Sequence, residues 1–143
     1  MNELAQIPVE SALAWGVCAR FGSEDLLRAT TGGRPTVNAL EMMELPIRPV
    51  DKLWLVMRLP VLPLVVLGGA TMRMTGDLPV GYLTHPRGRE AVLEAVKRGD
   101  YFGASRHINA CQKELNGRSS EDVAERQLAI LKEEIHVWLA SPS

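Results

Sequence analysis

The sequence predicts an all-α fold, a compact multi-helix bundle of about seven short helices in one domain over residues 1–143. Three observations predict it. Over the last segment, Ala124, Leu128, Leu131, Ile135 and Trp138 recur at alternating four- and three-residue steps, the period of one helical face. Earlier apolar runs are punctuated by prolines that suit helix starts and glycines that suit helix ends. The chain has 143 residues, 46 % of them hydrophobic, so it is long enough to bury a core; with aromatics at 5 %, that core is built of Leu, Val, Ala and Met.

Residues 1–7 are expected to be a short, loosely held lead. Pro8 opens a helix through about Arg20, because the first helical position needs no N–H. Its core face is Leu13, Ala14, Val17 and Cys18, with Trp15 at the edge. Gly22 suits the C′ position, and Ser23 N-caps a short helix with Glu24 and Asp25 in its first turn. That helix ends at Thr30-Thr31-Gly32-Gly33. The glycine pair invites a phosphate-loop reading, but Arg34-Pro35 follows where GK[ST] is needed, so a turn is expected. The next helix begins at Pro35 or Thr36, with Val37, Leu40 and Met43 as its apolar stripe, and Pro46 and Pro49 bracket a tight link.

Leu53 to Met74 is the most apolar stretch and is expected to be buried under the polar segments on either side. A helix from Pro49 ends at Arg58, with Leu53, Val56 and Met57 on one face, Leu59 at its edge and Trp54 flanking. Pro60 stops it and Pro63 starts the next element. Leu64 to Leu67 would also suit a strand; the length and the later Ala70, Met72 and Met74 favour a helix. Gly68-Gly69 weakens that helix by roughly 1 kcal/mol per glycine. Close packing of another helix is the expected reason, and a hinge the alternative. Arg58, Pro60 and Pro63 cut the stretch into pieces too short to span a bilayer, which takes about 20 apolar residues.

Residues 75–86 read as a long loop, with Tyr82 and His85 in or beside it. Pro86 opens a helix with Ala91, Val92, Ala95 and Val96 on its face, ended by Lys97, Arg98 and Gly99. Asp100 N-caps the next, which carries Ala104, Ile108, Cys111 and Leu115 and stops at Asn116-Gly117, with His107 beside the stripe. Ser119 with Asp122 caps the last helix, whose Glu125, Lys132 and Glu133 lie away from the seam and whose His136 follows it.

Little in the chain points to catalysis. Cys18 and Cys111 have no CxxC or metal-ligand spacing and read as two buried free thiols. His85, His107 and His136 are far apart, without HxxxH or HExxH. GxSxG, a dinucleotide fingerprint and an RNA-binding aromatic motif are absent. The sequence therefore predicts no catalytic, cofactor-binding or metal residues, and no cofactor. The N-terminus has no basic region ahead of an apolar run, so no signal peptide is read and the cytoplasm is the expected address.

Formal net charge is −1, which provides no global field for nucleic acid or an anionic membrane. Locally the signs separate. Arg87, Arg89, Lys97, Arg98 and Arg106 outnumber nearby acids, whereas Glu121, Asp122, Glu125, Glu133 and Glu134 mark the last segment.

Leu53-Trp54 with Arg58, then an apolar stretch, then His85-Pro86-Arg87 with Glu90-Ala91, resembles the small helical immunity proteins of bacteria and their phages over the middle third of the chain. The resemblance implies an all-helical fold and binding to a protein target, without catalytic residues. The expected function is a small intracellular protein-binding module, such as an immunity, inhibitor or phage accessory factor, with an unidentified protein partner. The alternatives are a nucleic-acid regulator using residues 87–106, a homo-oligomeric phage component, and an enzyme with a pocket at the 75–86 loop using Tyr82 and His85.

Overall fold

A computed structural model describes residues 2–14, 31–58 and 60–142, without the side chains of 12–14. In chain order the elements are β1 (Ile7–Pro8), α1 (Val9–Ala14), β2 (Thr36–Val37), α2 (Ala39–Met43), α3 (Pro49–Arg58), α4 (Leu64–Thr75), a 3-10 turn (Val80–Leu83), α5 (Arg89–Lys97), α6 (Tyr101–Asn116) and α7 (Ser120–Ala140). The described residues thus hold seven α-helices, and the fold is the mostly helical one the sequence predicts. The expected Ser23-capped helix, Gly22, Trp15, Val17, Cys18, Leu59 and the side chains of Leu13 and Ala14 lie outside the described residues.

Helix α7 is the centre of packing and meets α3, α4 and α6. Because three helices cover it, its buried arc is wider than a single seam. Ala124, Leu131 and Ile135 are buried as expected, but so are Val123, Gln127 and Ile130, whereas Leu128 and Trp138 are only half-buried. Gln127 enters the core by donating from Nε2 to the Ser105 carbonyl at 3.0 Å. The predicted caps form: Asp122 N–H donates to Ser119 Oγ at 3.1 Å, and Gly103 N–H to Asp100 Oδ1 at 2.8 Å. Gly117, at φ +67°, ends α6 in the left-handed region that glycine tolerates.

The N-terminal part departs from expectation. Residues 1–7 are not simply a loose lead: Ile7–Pro8 pairs antiparallel with Thr36–Val37, in the register Ile7 with Val37 and Pro8 with Thr36. The helix expected from Pro35 or Thr36 therefore starts later. Asn38 caps it through a reciprocal pair, Glu41 N–H to Asn38 Oδ1 at 3.0 Å and Asn38 N–H to Glu41 Oε1 at 3.1 Å. β-branched Ile7, Thr36 and Val37 suit extended pairing, and Pro8 keeps Ile7 out of the helical region. Ala39, Met42 and Met43 are then the buried residues of α2, with Leu40 half-buried. At residue 2, Asn2 Nδ2 donates to the Trp138 carbonyl at 2.7 Å and ties the lead to the end of α7.

The next helix also starts later than Pro86 suggests. Residues 86–88 are a turn, closed by Gly88 N–H on the His85 carbonyl at 2.8 Å, and α5 begins at Arg89. Gly88 is required there: a Cβ would sit 1.9 Å from the Tyr82 carbonyl oxygen.

In the central stretch, α3 buries Leu53, Leu55, Val56 and Met57. The strand-or-helix ambiguity resolves to helix for α4, which buries Val66, Leu67, Ala70, Thr71 and Met74. The Thr71 hydroxyl donates to the Leu67 carbonyl at 2.8 Å, so its burial leaves no orphan donor. The expectation that the whole stretch is buried fails. Leu64, Val65 and Met72 are 69 %, 68 % and 76 % exposed. No described helix is long and apolar enough to cross a membrane.

Candidate functional site

Helices α4 and α5 each pack on α6 but scarcely on each other. Between them lies an open groove of about 460 Å³. Gly68, Met72 and Thr75 of α4 form one wall, and Val92, Leu93 and Val96 of α5 the other, with Tyr82 and Leu83 contributed by the 3-10 turn. Four-residue spacing places Leu64, Gly68 and Met72 in one row, so exposed Leu64 and Val65 carry the α4 wall on by a turn. Leu83 and Leu93, 52 % and 45 % exposed, give the facing side the same apolar character.

The glycine pair divides its work. A Cβ on Gly68 would meet nothing within 4 Å, so this residue faces the open groove and not another helix. Gly69 does carry a tertiary contact: a Cβ there would lie 3.2 Å from Glu134 Oε2 on α7. The close-packing expectation therefore fails at Gly68 and holds, against a side chain, at Gly69.

Arg89 is the charged residue of the groove and makes no ion pair among the described residues. Tyr82 is half-buried beside it. Burial, and then the negative charge that Cys111 would carry as a thiolate, push the Tyr82 hydroxyl pKa up against the opposing pull of Arg89. The phenol stays protonated and offers a hydrogen-bond donor at an otherwise apolar surface.

A second cluster looks more chemical. His85 Nδ1 accepts the Arg87 N–H at 3.0 Å, His85 Nε2 meets the Glu114 carboxylate, and Cys111 Sγ lies 3.6 Å from Nδ1. Thiol, imidazole and carboxylate follow the order of a cysteine–histidine–acid triad. The environment opposes nucleophilic use. Cys111 is fully buried, and burial followed by the Glu114 charge raises its thiol pKa. Its proton is directed to the Arg87 carbonyl at 3.2 Å, and the Arg87 N–H already occupies the His85 lone pair that would accept it. The cluster staples the 85–88 turn to α6.

Arg87 also donates from Nε to His107 Nδ1 at 3.1 Å. Burial, and then the Arg87 charge, lower the His107 pKa, which suits a neutral acceptor. Of the residues of the catalytic alternative, Tyr82 lines the groove and His85 belongs to the staple. Among the described residues no three His, Cys, Asp or Glu side chains could hold a metal ion. His136 is exposed in a third hollow, also about 460 Å³, between α2, α3 and α7, where Lys132 Nζ and Glu44 Oε1 are already paired at 3.0 Å.

The chain matches no family model, curated protein or solved structure. The α4–α5 groove is the place where exposed apolar side chains from two helices and a turn meet without a covering element among the described residues. The sequence reading missed it by treating Leu53 to Met74 as uniformly buried. The available signal was the row Leu64, Gly68, Met72, a second stripe on a helix whose buried stripe is Val66, Leu67, Ala70 and Met74.

Proposed function

We propose that this chain is a protein-binding module whose groove takes an amphipathic helix of a partner protein, with a carboxylate of that helix facing Arg89. The observation that carries this reading is the exposed row Leu64, Val65 and Met72 opposite Leu83 and Leu93. Contiguous apolar surface of this kind marks interaction sites in water-exposed proteins. The α4 wall has 12 residues, about 18 Å at the helical rise, which matches three turns of a docked helix. Two helical walls with an apolar floor suit anchors at i, i+3, i+4 and i+7. The resemblance to immunity proteins agrees with this reading, because in such proteins binding itself is the activity.

The test compares the wild type with Gly68→Leu, which fills the groove from a wall position with open space, and Arg89→Glu, which reverses its charge. A photoreactive residue at position 72 is expected to crosslink to a helical segment of one protein, and both variants are expected to lose it while melting no lower than the wild type. Crosslinking to a second copy, adsorption to lipid vesicles, or a protein captured equally by both variants would refute the partner-helix reading.

A further inference from the structure

Four arginines of the described residues have carboxylate partners, Arg34 with Glu41, Arg73 with Glu133 and Glu134, Arg98 with Glu94, and Arg126 with Asp77, while Arg58, Arg89 and Arg118 stand singly without one. On the face where the start of α3, the turn before α5 and the middle of α6 meet, three more have none. Arg106 is half-buried on α6 and its guanidinium makes no hydrogen bond or ion pair among the described residues. Arg48, just before α3, has no ion pair there either, and the Arg87 side chain bonds only neutral His107.

Two hollows share Arg106 and Ser120. The larger, about 300 Å³, adds Arg87, Asn109 and Lys113; the smaller, about 70 Å³, adds Arg48. Each has one carboxylate on its wall, Glu114 in the larger and Glu121 in the smaller. Glu114 is engaged by His85, and Glu121 forms no ion pair with Arg106. Burial, and then the positive charges of Arg87 and Arg48, disfavour the charged form of Arg106. Crowding like charges in a partly desolvated place costs folding free energy unless an anion offsets it.

We propose that Arg48, Arg87 and Arg106 form a binding site for a small phosphorylated anion, with Arg106 reaching both hollows. Guanidinium forks match phosphate oxygens in pairs, and three converging cations call for a ligand with two or more negative charges. The larger hollow, about 300 Å³, has room for a phosphorylated small molecule, and the smaller extends it by about 70 Å³ on the other side of Arg106. An extended polyanion is disfavoured by the Glu114 and Glu121 walls and by a net charge of −1. The site shares no lining residue with the α4–α5 groove, so it stands or falls separately from the partner-helix reading.

Inorganic pyrophosphate titrated into the full chain by calorimetry at fixed ionic strength tests the site. Saturable binding near one per chain is expected. Arg106→Gln should weaken it about tenfold or more, the loss of a charge-assisted pair, and Arg48→Gln and Arg87→Gln each several-fold. Arg118→Gln, outside both hollows, should leave it unchanged. Without pyrophosphate, Arg106→Gln should melt no lower than the wild type, since it relieves like-charge crowding; if it melts lower, the Arg48 and Arg87 variants decide. Absent binding to the wild type, or equal binding to the variants, overturns the proposal. Binding of a single-stranded oligonucleotide in preference to pyrophosphate, with a steep salt dependence, also overturns it in favour of a nucleic-acid backbone site.

Discussion

Neighbouring glycines in α4 should respond oppositely to the same substitution. Gly68 and Gly69 share a helix interior, where Ala is about 1 kcal/mol more favourable than Gly. At Gly68 the added Cβ meets nothing within 4 Å, so Gly68→Ala should realise that gain, about 3 °C in melting temperature for a chain of 143 residues. At Gly69 the Cβ comes within 3.2 Å of Glu134 Oε2, and Glu134 Oε1 accepts from Arg73 Nη1 at 3.2 Å. That pair must shift, so Gly69→Ala should gain less than half as much. The assay is thermal unfolding by circular dichroism for both variants in one buffer. A Gly68→Ala chain no more stable than the wild type, or a larger gain at Gly69, would refute the placement of the two residues. Capture of a groove-binding partner should weaken in Gly68→Ala even as stability rises. A glycine retained against a stability gain is the pattern expected of a binding surface.

Three further outcomes follow from the site. Gly88→Ala should destabilise by about 2–3 kcal/mol, measured by urea unfolding, because its Cβ would overlap the Tyr82 carbonyl and the backbone must move. His107, lowered below 6.5 by burial and Arg87, resists a proton that the unfolded chain accepts. Its contribution is fully present above the unfolded value and is lost as pH falls through the folded one, so His107→Gln should flatten the melting-temperature slope below pH 6.5. In a Cys18→Ser background, Cys111 should resist a thiol-specific reagent at pH 8 in the folded state and react at once in denaturant, because it is buried and its pKa is raised.

Much of the helix layout was legible because local chemistry sets it. Asp100 and Ser119 are N-caps, Gly117 is a left-handed stop, and Pro49 opens α3, each as the residue type dictates. What local chemistry does not contain was missed. The Ile7–Val37 pairing joins segments 30 residues apart, and neither two-residue strand shows a period of its own. The burial of Gln127 depends on a carbonyl of another helix, and the hydrophobicity of its own helix gives no sign of it. The arginine cluster draws Arg48, Arg87 and Arg106 from three elements, so linear charge counting saw a basic region over 87–106 and not the convergence with Arg48.

The groove has a packing cause that makes it more than a gap. Helix α6 offers one side to α4 and another to α5, and the 3-10 turn sets their separation by resting on both α5 and α6. Gly88 fixes that turn, since its missing side chain lets the chain pass against the Tyr82 carbonyl. Cys111, His85 and Glu114 fasten the 85–88 turn that follows it to α6. In this arrangement α5 does not cover Met72, which stays 76 % exposed although burying one such side chain would be worth about 1.5–3 kcal/mol. Along residues 87–89, Arg87 faces the arginine cluster, Gly88 is buried and Arg89 faces the groove. The 85–88 turn, with Arg89 directly after it, therefore positions a cation for each surface.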